Sequence, residues 1–110
     1  MRKVYGVGIC DSNSMENGQK SRCYSVWREM LRRCYDSKYH ERKPTYIDCS
    51  VHQDWHFFSN FKEFYDTNYR EGYELDKDLL VPGNKIYSKD NCRFVPKIIN
   101  CLFLDHAAVS

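Results

Sequence analysis

The stretch that most constrains the fold is residues 75–100, LDKDLLVPGNKIYSKDNCRFVPKIIN. A strand-like run over residues 73–80 ends at Pro82-Gly83-Asn84, which is a turn-forming tripeptide. A second strand-like run covers residues 92–95, and Pro96 then suits the first turn of a helix. The pattern predicts two paired strands followed by a helix.

Three oxygen-bearing side chains lie on either side of the predicted turn. Asp76 and Asp78 precede it and Asn91 follows it, so pairing of the two strands would bring the three side chains close together. Carboxylate and amide oxygens suit Mg²⁺ or Mn²⁺, which keep water ligands for a phosphate oxygen. We therefore expect a divalent-metal site here. The structural alternative is that the aspartates lie on an exposed strand face and that Asn91 caps the turn.

Two amphipathic segments precede this stretch. Apolar side chains recur at helical spacing over residues 21–35, which predicts a first helix. A second helix is predicted over residues 53–67, where a broad aromatic surface is expected to pack against the first helix and the strands. The polar residues 36–45 indicate a loop, and residues 46–51 suit a brief extended segment.

These elements indicate an α+β fold in one small domain, which is the size expected for 110 residues. Two amphipathic helices would pack on a ββα unit. Residues 1–20 are predicted to form a strand or arm and a loop, residues 21–70 the helical part, and residues 73–104 the ββα part.

Charge is unevenly distributed along the chain, although its 17 basic and 15 acidic residues nearly balance. Eight basic and three acidic residues occupy positions 20–43, whereas eight acidic and three basic residues occupy positions 48–78. On the predicted first helix, four arginines lie opposite the apolar stripe: Arg22, Arg28, Arg32 and Arg33. This face is either simply solvated or a surface for phosphate contacts.

The sequence begins without the apolar core of a secretion signal, and it has no run of about 18 apolar residues. We expect an intracellular protein with no membrane partner. The six cysteines form no Cys-x-x-Cys pair, so we interpret them as reduced, buried side chains. Zinc is not expected at Cys49, His52 and His56, because no second cysteine pair completes a tetrahedral site.

The run LDKD…GN…YS…NCRFVP…IN resembles a family of small phage proteins related to HNH endonucleases. The segments YSVWREMLRRCY, at residues 24–35, and CSVHQDWHFFSNFKEFY, at residues 49–65, extend the resemblance over residues 3–103. It implies a ββα-metal unit and a nucleic-acid partner, DNA rather than RNA, in the cytoplasm of the host cell. Members of this group commonly continue into a second, Apetala-type DNA-binding domain. Because the sequence ends at Ser110, we expect a module without it.

The resemblance also implies roles for single residues. Asp76 matches the metal-binding aspartate, Asn91 an orienting residue, and Asn100 the third residue of the motif. Lys77 stands where the family has its general-base histidine. Since an ordinary lysine is protonated at neutral pH, it cannot take a proton from water, and the catalytic site is predicted to be degenerate.

The sequence therefore predicts an HNH-like nucleic-acid-binding protein. Its expected phosphate contacts are Arg22, Arg28, Arg32, Arg33, Lys89 and Arg93. Two alternatives remain open at this point. One is an active Mg²⁺- or Mn²⁺-dependent nickase or endonuclease. The other is a phage inhibitor that blocks a host defence protein, since blocks of opposite charge suit an electrostatically steered protein interface.

Overall fold

The computed structural model of the protein describes residues 3–78, 80 and 83–97. In chain order, the helices and strands of these residues are β1 (Met15–Glu16), β2 (Gln19–Lys20), α1 (Arg22–Tyr35), α2 (Ser37–Arg42), β3 (Ser50–Val51), α3 (Phe58–Asn68), β4 (Tyr73–Asp76), β5 (Ile86–Tyr87) and β6 (Arg93–Pro96). Short 3₁₀ turns cover Pro44–Tyr46 and Gln53–His56. The predicted α+β class is confirmed.

Helix α1 lies at the centre of the core, and it matches the predicted helix over residues 21–35. The Ser21 side chain caps its start by accepting a hydrogen bond of 3.1 Å from the Tyr24 N–H. The buried side chains of α1 share one face: Cys23, Trp27, Met30, Leu31 and Cys34. The Trp27 indole N–H donates to the main-chain oxygen of Trp55 at 2.8 Å, which ties α1 to the segment before α3.

The predicted helix over residues 53–67 is wrong in its first part. Phe57 is extended and separates the 3₁₀ turn from α3. The reason is tertiary: Ile9 pairs with Phe57 in a parallel bridge. The Ile9 N–H donates to the His56 oxygen at 2.7 Å, and the Phe58 N–H donates to the Ile9 oxygen at 2.9 Å. In a continuous helix, the His56 oxygen and the Phe58 N–H would form hydrogen bonds within the helix instead.

The polar residues 36–45 were predicted as a loop, but they contain helix α2. The Asp36 side chain accepts from the Lys38 N–H at 3.2 Å and caps the start of α2. His40 Nε2 donates to the main-chain oxygen of Arg33 at 2.8 Å, so α2 is fastened to the last turn of α1. Because α2 has no buried residue, no apolar periodicity marks it in the sequence.

Residues 4–8 form a turn where a strand or an extended arm was predicted. Val4 pairs with Gly8 across a turn in which Tyr5 has a φ of 51°. A Cβ atom on Gly8 would lie 2.5 Å from Leu31 and 2.9 Å from Trp27, so only glycine lets the turn lie on α1. Residues 11–19, predicted as a loop, contain most of the β1–β2 hairpin, whose Asn17-Gly18 turn has positive φ at both residues.

Strands β4 and β6 pair antiparallel, with Asp76 opposite Arg93 and Leu75 opposite Phe94. This confirms the predicted pairing, but the connection is longer than a tight turn. The connecting residues include β5, which does not join the β4–β6 pair but pairs in parallel with β3. Pro96 is the last residue of β6, and Lys97, which follows it, is helical, so a helix begins directly after Pro96; the rest of the predicted helix falls outside the described residues.

Phe94 joins the strand pair to α3. Its ring centroid lies 5.7 Å from that of Phe64 and 5.5 Å from those of both Tyr65 and Tyr69. Such tilted and edge-on arrangements are favourable for aromatic rings. The strand pair is therefore held to the helical part by an aromatic cluster.

The five described cysteines are free thiols, and four of them are buried: Cys23, Cys34, Cys49 and Cys92. Burial raises the pKa of Cys23, Cys34 and Cys92 to about 12 in each case. These thiols are protonated at neutral pH and behave as small apolar side chains. Within the described part of the chain, no helix is long and apolar enough to cross a membrane.

Candidate functional site

Asp76 ends β4, where pairing with β6 places it beside the start of that strand. Its side chain is buried, and Oδ2 accepts a hydrogen bond of 3.1 Å from the Asp78 N–H. The Asp76 and Asp78 carboxylates also act on the Cys92 thiol, whose pKa is raised first by burial and further by these two charges. The strand pairing thus brings Asp76 and Asp78 close to Cys92, the residue that follows Asn91. The approach of the Asn91 side chain to the two aspartates stays a prediction.

Lys77 is held inside the protein by an ion pair. Its Nζ lies 3.1 and 3.2 Å from the two carboxylate oxygens of Asp78, and its side chain is only 11 % exposed. The ammonium also lies 5.8 Å from the Tyr46 ring centroid and 5.9 Å from that of Tyr87, within range of cation–π attraction. A protonated lysine bound in this way has no free electron pair with which to activate water.

Asn91 ends a turn that begins at Ser88. Its backbone N–H donates to the Ser88 main-chain oxygen and to the Ser88 Oγ, each at 3.2 Å. The Cys92 N–H donates to the same main-chain oxygen at 3.0 Å. Asn91 is half-buried, and its backbone serves the turn. Asn100 lies outside the described residues.

The described residues contain no group of three His, Cys, Asp or Glu side chains placed to hold a metal ion. The Lys77 ammonium already binds both carboxylate oxygens of Asp78. A divalent ion at this position would have to displace that ammonium or accept strong repulsion from it. The Lys77 ammonium therefore opposes a divalent ion between Asp76 and Asp78. A metal at this position stays a prediction from the sequence.

Asn84 fixes the connection between β4 and β5. Its Nδ2 donates to the main-chain oxygens of Lys77, at 3.1 Å, and Ile86, at 2.5 Å. Its Oδ1 accepts from the Ile86 N–H at 3.1 Å. One amide side chain thus forms hydrogen bonds with backbone groups on both sides of the connection. Its partners at Ile86 are the N–H and the oxygen, which do not pair with β3.

Substitution Asn84→Ala is expected to lower the free energy of unfolding by about 2 kcal/mol, because several backbone hydrogen bonds lose their partner together. Urea unfolding followed by tryptophan fluorescence measures the change. Asn68→Ala is the matched control, since Asn68 is exposed and donates one hydrogen bond, to the Phe64 oxygen at 2.9 Å. Equal losses in both variants would show that Asn84 has no special role in the connection.

The arginines of α1 do not share one solvated face. Arg22 and Arg28 are exposed, whereas Arg32 and Arg33 are half-buried. Arg32 forms ion pairs with Glu29 at 3.0 Å and with Asp36 at 3.9 Å. Two of the four predicted phosphate contacts are therefore open to solvent, and the other two already have contacts within the protein.

Arg33 lies among aromatic side chains. Its Nε is 3.9 Å from the Glu29 carboxylate. Burial alone would lower the pKa of Arg33, but the neighbouring Tyr87, Tyr46 and Tyr39 side chains raise it above its ordinary value, so the guanidinium is charged. Arg33 is therefore a fixed positive charge at the boundary between α1 and β5.

Lys89 and Arg93 are exposed, but they lie on other elements than the α1 arginines. Lys89 belongs to the turn before β6, and it lines a groove together with Asp54, Glu63 and Asp90. Arg93 lies on β6 opposite Asp76. Three carboxylates line the same groove as Lys89, so this region attracts an anion less than the sequence indicated.

Arginine side chains of α1 and α2 lie beside two tyrosine rings. The Arg28 guanidinium lies 5.4 Å from the Tyr5 ring centroid, and the Tyr39 ring has Arg32 at 4.9 Å and Arg42 at 5.9 Å. Arg28 and Arg32 are one helical turn apart, so the contacts form a continuous row. We call these five residues the arginine–tyrosine stripe.

Sequence reasoning missed three members of the stripe, Tyr5, Tyr39 and Arg42. The basic character of residues 38–43 was visible, but α2 has no apolar periodicity to reveal it as a helix. Tyr5, whose ring contacts Arg28, has a left-handed backbone conformation. This conformation costs on the order of 1 kcal/mol for a residue other than glycine. Local strain of this kind is frequent at functional sites.

Comparison of the chain with protein-family models, with curated proteins and with solved structures gave no match. The relationship to HNH proteins therefore stays a prediction from the sequence motifs.

Proposed function

We propose that this protein binds nucleic acid through the arginine–tyrosine stripe and the basic residues beside it. The observation that carries the proposal is the contact of each stripe arginine with a tyrosine ring. DNA rather than RNA is the partner that the resemblance to phage HNH proteins implies, and the host cytoplasm is the place of action. The charge of the whole chain gives no such support, since the net charge is only +2.

A tyrosine ring beside a guanidinium leaves the guanidinium able to bind phosphate. The ring holds the planar group in place, while its N–H donors still point outward to a phosphate oxygen. Arg28 and Arg42 are exposed, and neither forms an ion pair with any residue that the structure describes. The same holds for the exposed Lys38 and Lys43, which lie on or next to α2.

Affinity for a DNA duplex is expected to fall steeply with salt. If these four cations each contact a phosphate, the logarithm of the binding constant should decrease with the logarithm of salt concentration with a slope of roughly −3 to −4. Fluorescence anisotropy with a labelled duplex, measured from low to high salt, gives this slope. Binding that stays constant over the salt series would contradict phosphate contact.

The contacts of Lys77 favour binding over cleavage. The expected position of the general base holds an ammonium that is paired with Asp78, and the same pair opposes a divalent ion beside Asp76. We therefore propose a protein that keeps an HNH-like strand pair as a structural unit and contacts nucleic acid with α1 and α2.

A further inference from the structure

Glu29 lies beside two arginines that compete for its carboxylate. On a helix, the residues three and four positions after a glutamate are both its neighbours, and on α1 these residues are Arg32 and Arg33. Arg32 Nη1 donates to the two carboxylate oxygens of Glu29, at 3.0 and 3.3 Å. Arg33 Nε lies 3.9 Å from Glu29 Oε1, which is too far for a hydrogen bond. The carboxylate therefore serves Arg32 and leaves Arg33 without an acceptor at Nε.

The Arg33 Nε–H is a buried donor without a hydrogen bond. No residue that the structure describes accepts from it, and within that part of the chain no other buried side-chain nitrogen or oxygen lacks a partner. A donor in this state is unfavourable, because burial has removed its hydrogen bonds to water and nothing has replaced them. A carboxylate oxygen that moved within reach of Arg33 Nε would remove this defect.

Glu29 has both the reach and the room for such a movement. A displacement of Oε1 by about 1 Å would bring it within hydrogen-bond distance of Arg33 Nε. The Glu29 side chain is 38 % exposed, and Glu29 and Arg33 both line a groove of about 780 Å³, so open space adjoins them. Arg33 lies beside Tyr87 and Tyr46, which hold the guanidinium in place. The carboxylate is therefore the mobile partner of the pair.

Arg32 would keep its position after losing Glu29. Its guanidinium lies 4.9 Å from the Tyr39 ring centroid, and its Nε lies 3.9 Å from the Asp36 carboxylate. Asp36 is itself fixed, since it accepts from the Lys38 N–H at the start of α2. Release of Glu29 would thus leave an arginine of the stripe in place with an open donor at Nη1, which suits a phosphate oxygen.

We propose that Arg33 is a positioning residue that takes over the Glu29 carboxylate when Arg32 binds a phosphate of nucleic acid. The inference rests on the proposed function. The phosphate replaces Glu29 at Arg32 Nη1, and Glu29 Oε1 moves to Arg33 Nε. Because the exchange gives the buried donor an acceptor, it offsets the loss of the ion pair between Glu29 and Arg32. Arg33 therefore supports binding without contacting nucleic acid, whereas the sequence predicted it as a phosphate contact.

Nuclear magnetic resonance of the arginine side chains follows this exchange directly. The Arg33 Nε–H proton signal should move downfield when the wild-type protein is saturated with a DNA duplex, because the proton gains a carboxylate acceptor. Arg32→Gln should cause the same shift without nucleic acid, since it also releases Glu29. Arg28→Gln is the control and should leave the signal unchanged, because Arg28 belongs to the stripe but forms no ion pair within the described part of the chain. An unchanged Arg33 signal in Arg32→Gln would overturn the proposal.

A double-mutant cycle with Glu29 measures the effect on affinity. In anisotropy titrations with a labelled duplex, Arg33→Gln should weaken binding roughly fivefold in the wild-type background and less than about twofold in the Glu29→Gln background, where no carboxylate has to be taken over. The slope of affinity against salt should not change, because Arg33 contacts no phosphate. Equal losses in the two backgrounds, or a slope that is shallower by about one, would mean that Arg33 itself contacts phosphate.

The outcomes separate this role from the proposed function. If the duplex binds with the expected salt dependence but Arg33→Gln loses affinity equally in both backgrounds, the role of Arg33 is wrong and the stripe stands. If no nucleic acid binds at any salt concentration, both are wrong. Should Arg33→Gln fail to fold, as urea unfolding would show, the Arg33 signal in Arg32→Gln and in the DNA-saturated wild type decides the question.

Discussion

Substitution Phe94→Ala is expected to lower the free energy of unfolding by about 3–5 kcal/mol. The Phe94 side chain is 8 % exposed and contacts the rings of Phe64, Tyr65 and Tyr69. Its removal leaves a cavity between β6 and α3 and separates three rings from their common partner. A small domain has a total stability of roughly 5–15 kcal/mol, so the loss is a large part of it.

Urea unfolding followed by circular dichroism measures this loss. Phe57→Ala is the control, because the Phe57 side chain is 41 % exposed and should cost far less. Hydrogen exchange adds a local readout: the backbone amides of β4 and β6 should lose protection in Phe94→Ala before those of α1 do. Similar losses in the two variants would contradict a central role for Phe94 in attaching the strand pair.

The double substitution Arg28→Glu, Arg42→Glu is expected to reduce DNA affinity roughly 100-fold at low salt. Each change removes a cation from the arginine–tyrosine stripe and places a carboxylate near phosphate. The control is Lys62→Glu, Arg70→Glu, which changes the net charge by the same amount on and just after α3. An equal loss in the control would show that total charge, rather than the stripe, determines binding.

Glu29→Gln should act in the opposite direction. Glu29 forms ion pairs with Arg32 at 3.0 Å and with Arg33 at 3.9 Å. Removing this negative charge leaves more of the positive charge of the two guanidinium groups available to phosphate. DNA affinity should therefore rise by roughly threefold. Anisotropy titrations at one salt concentration measure both effects. A decrease in affinity for Glu29→Gln would mean that Glu29 positions the arginines instead of competing with phosphate.

Local sequence patterns predicted the elements whose own residues carry an apolar period or a turn signal. Helix α1 was predictable because its apolar side chains recur at helical spacing behind a serine cap. The pairing of β4 with β6 was predictable because strand-like residues stand on both sides of the Pro-Gly-Asn segment. The β1–β2 hairpin was missed, although the Asn17-Gly18 dipeptide favours a tight turn, because its short strands lack an apolar pattern.

The candidate site depends on contacts between distant segments, and such contacts leave no periodic signal in the sequence. The break before α3 exists because Ile9 uses backbone groups of His56 and Phe58. The arginine–tyrosine stripe combines α1 with Tyr5, on the turn beside Gly8, and with Tyr39 and Arg42 of α2.

By itself, the sequence determined the α+β class, the central helix and the strand pair, and it predicted, from the resemblance to HNH proteins, that Lys77 stands in place of a histidine. Only the tertiary structure decided what that lysine does and where the arginines lie. Lys77 is enclosed by Asp78, Tyr46 and Tyr87, which are placed around it by different segments of the chain. Periodicity reports which face of an element is buried, whereas the partner of a charged side chain depends on how the elements pack.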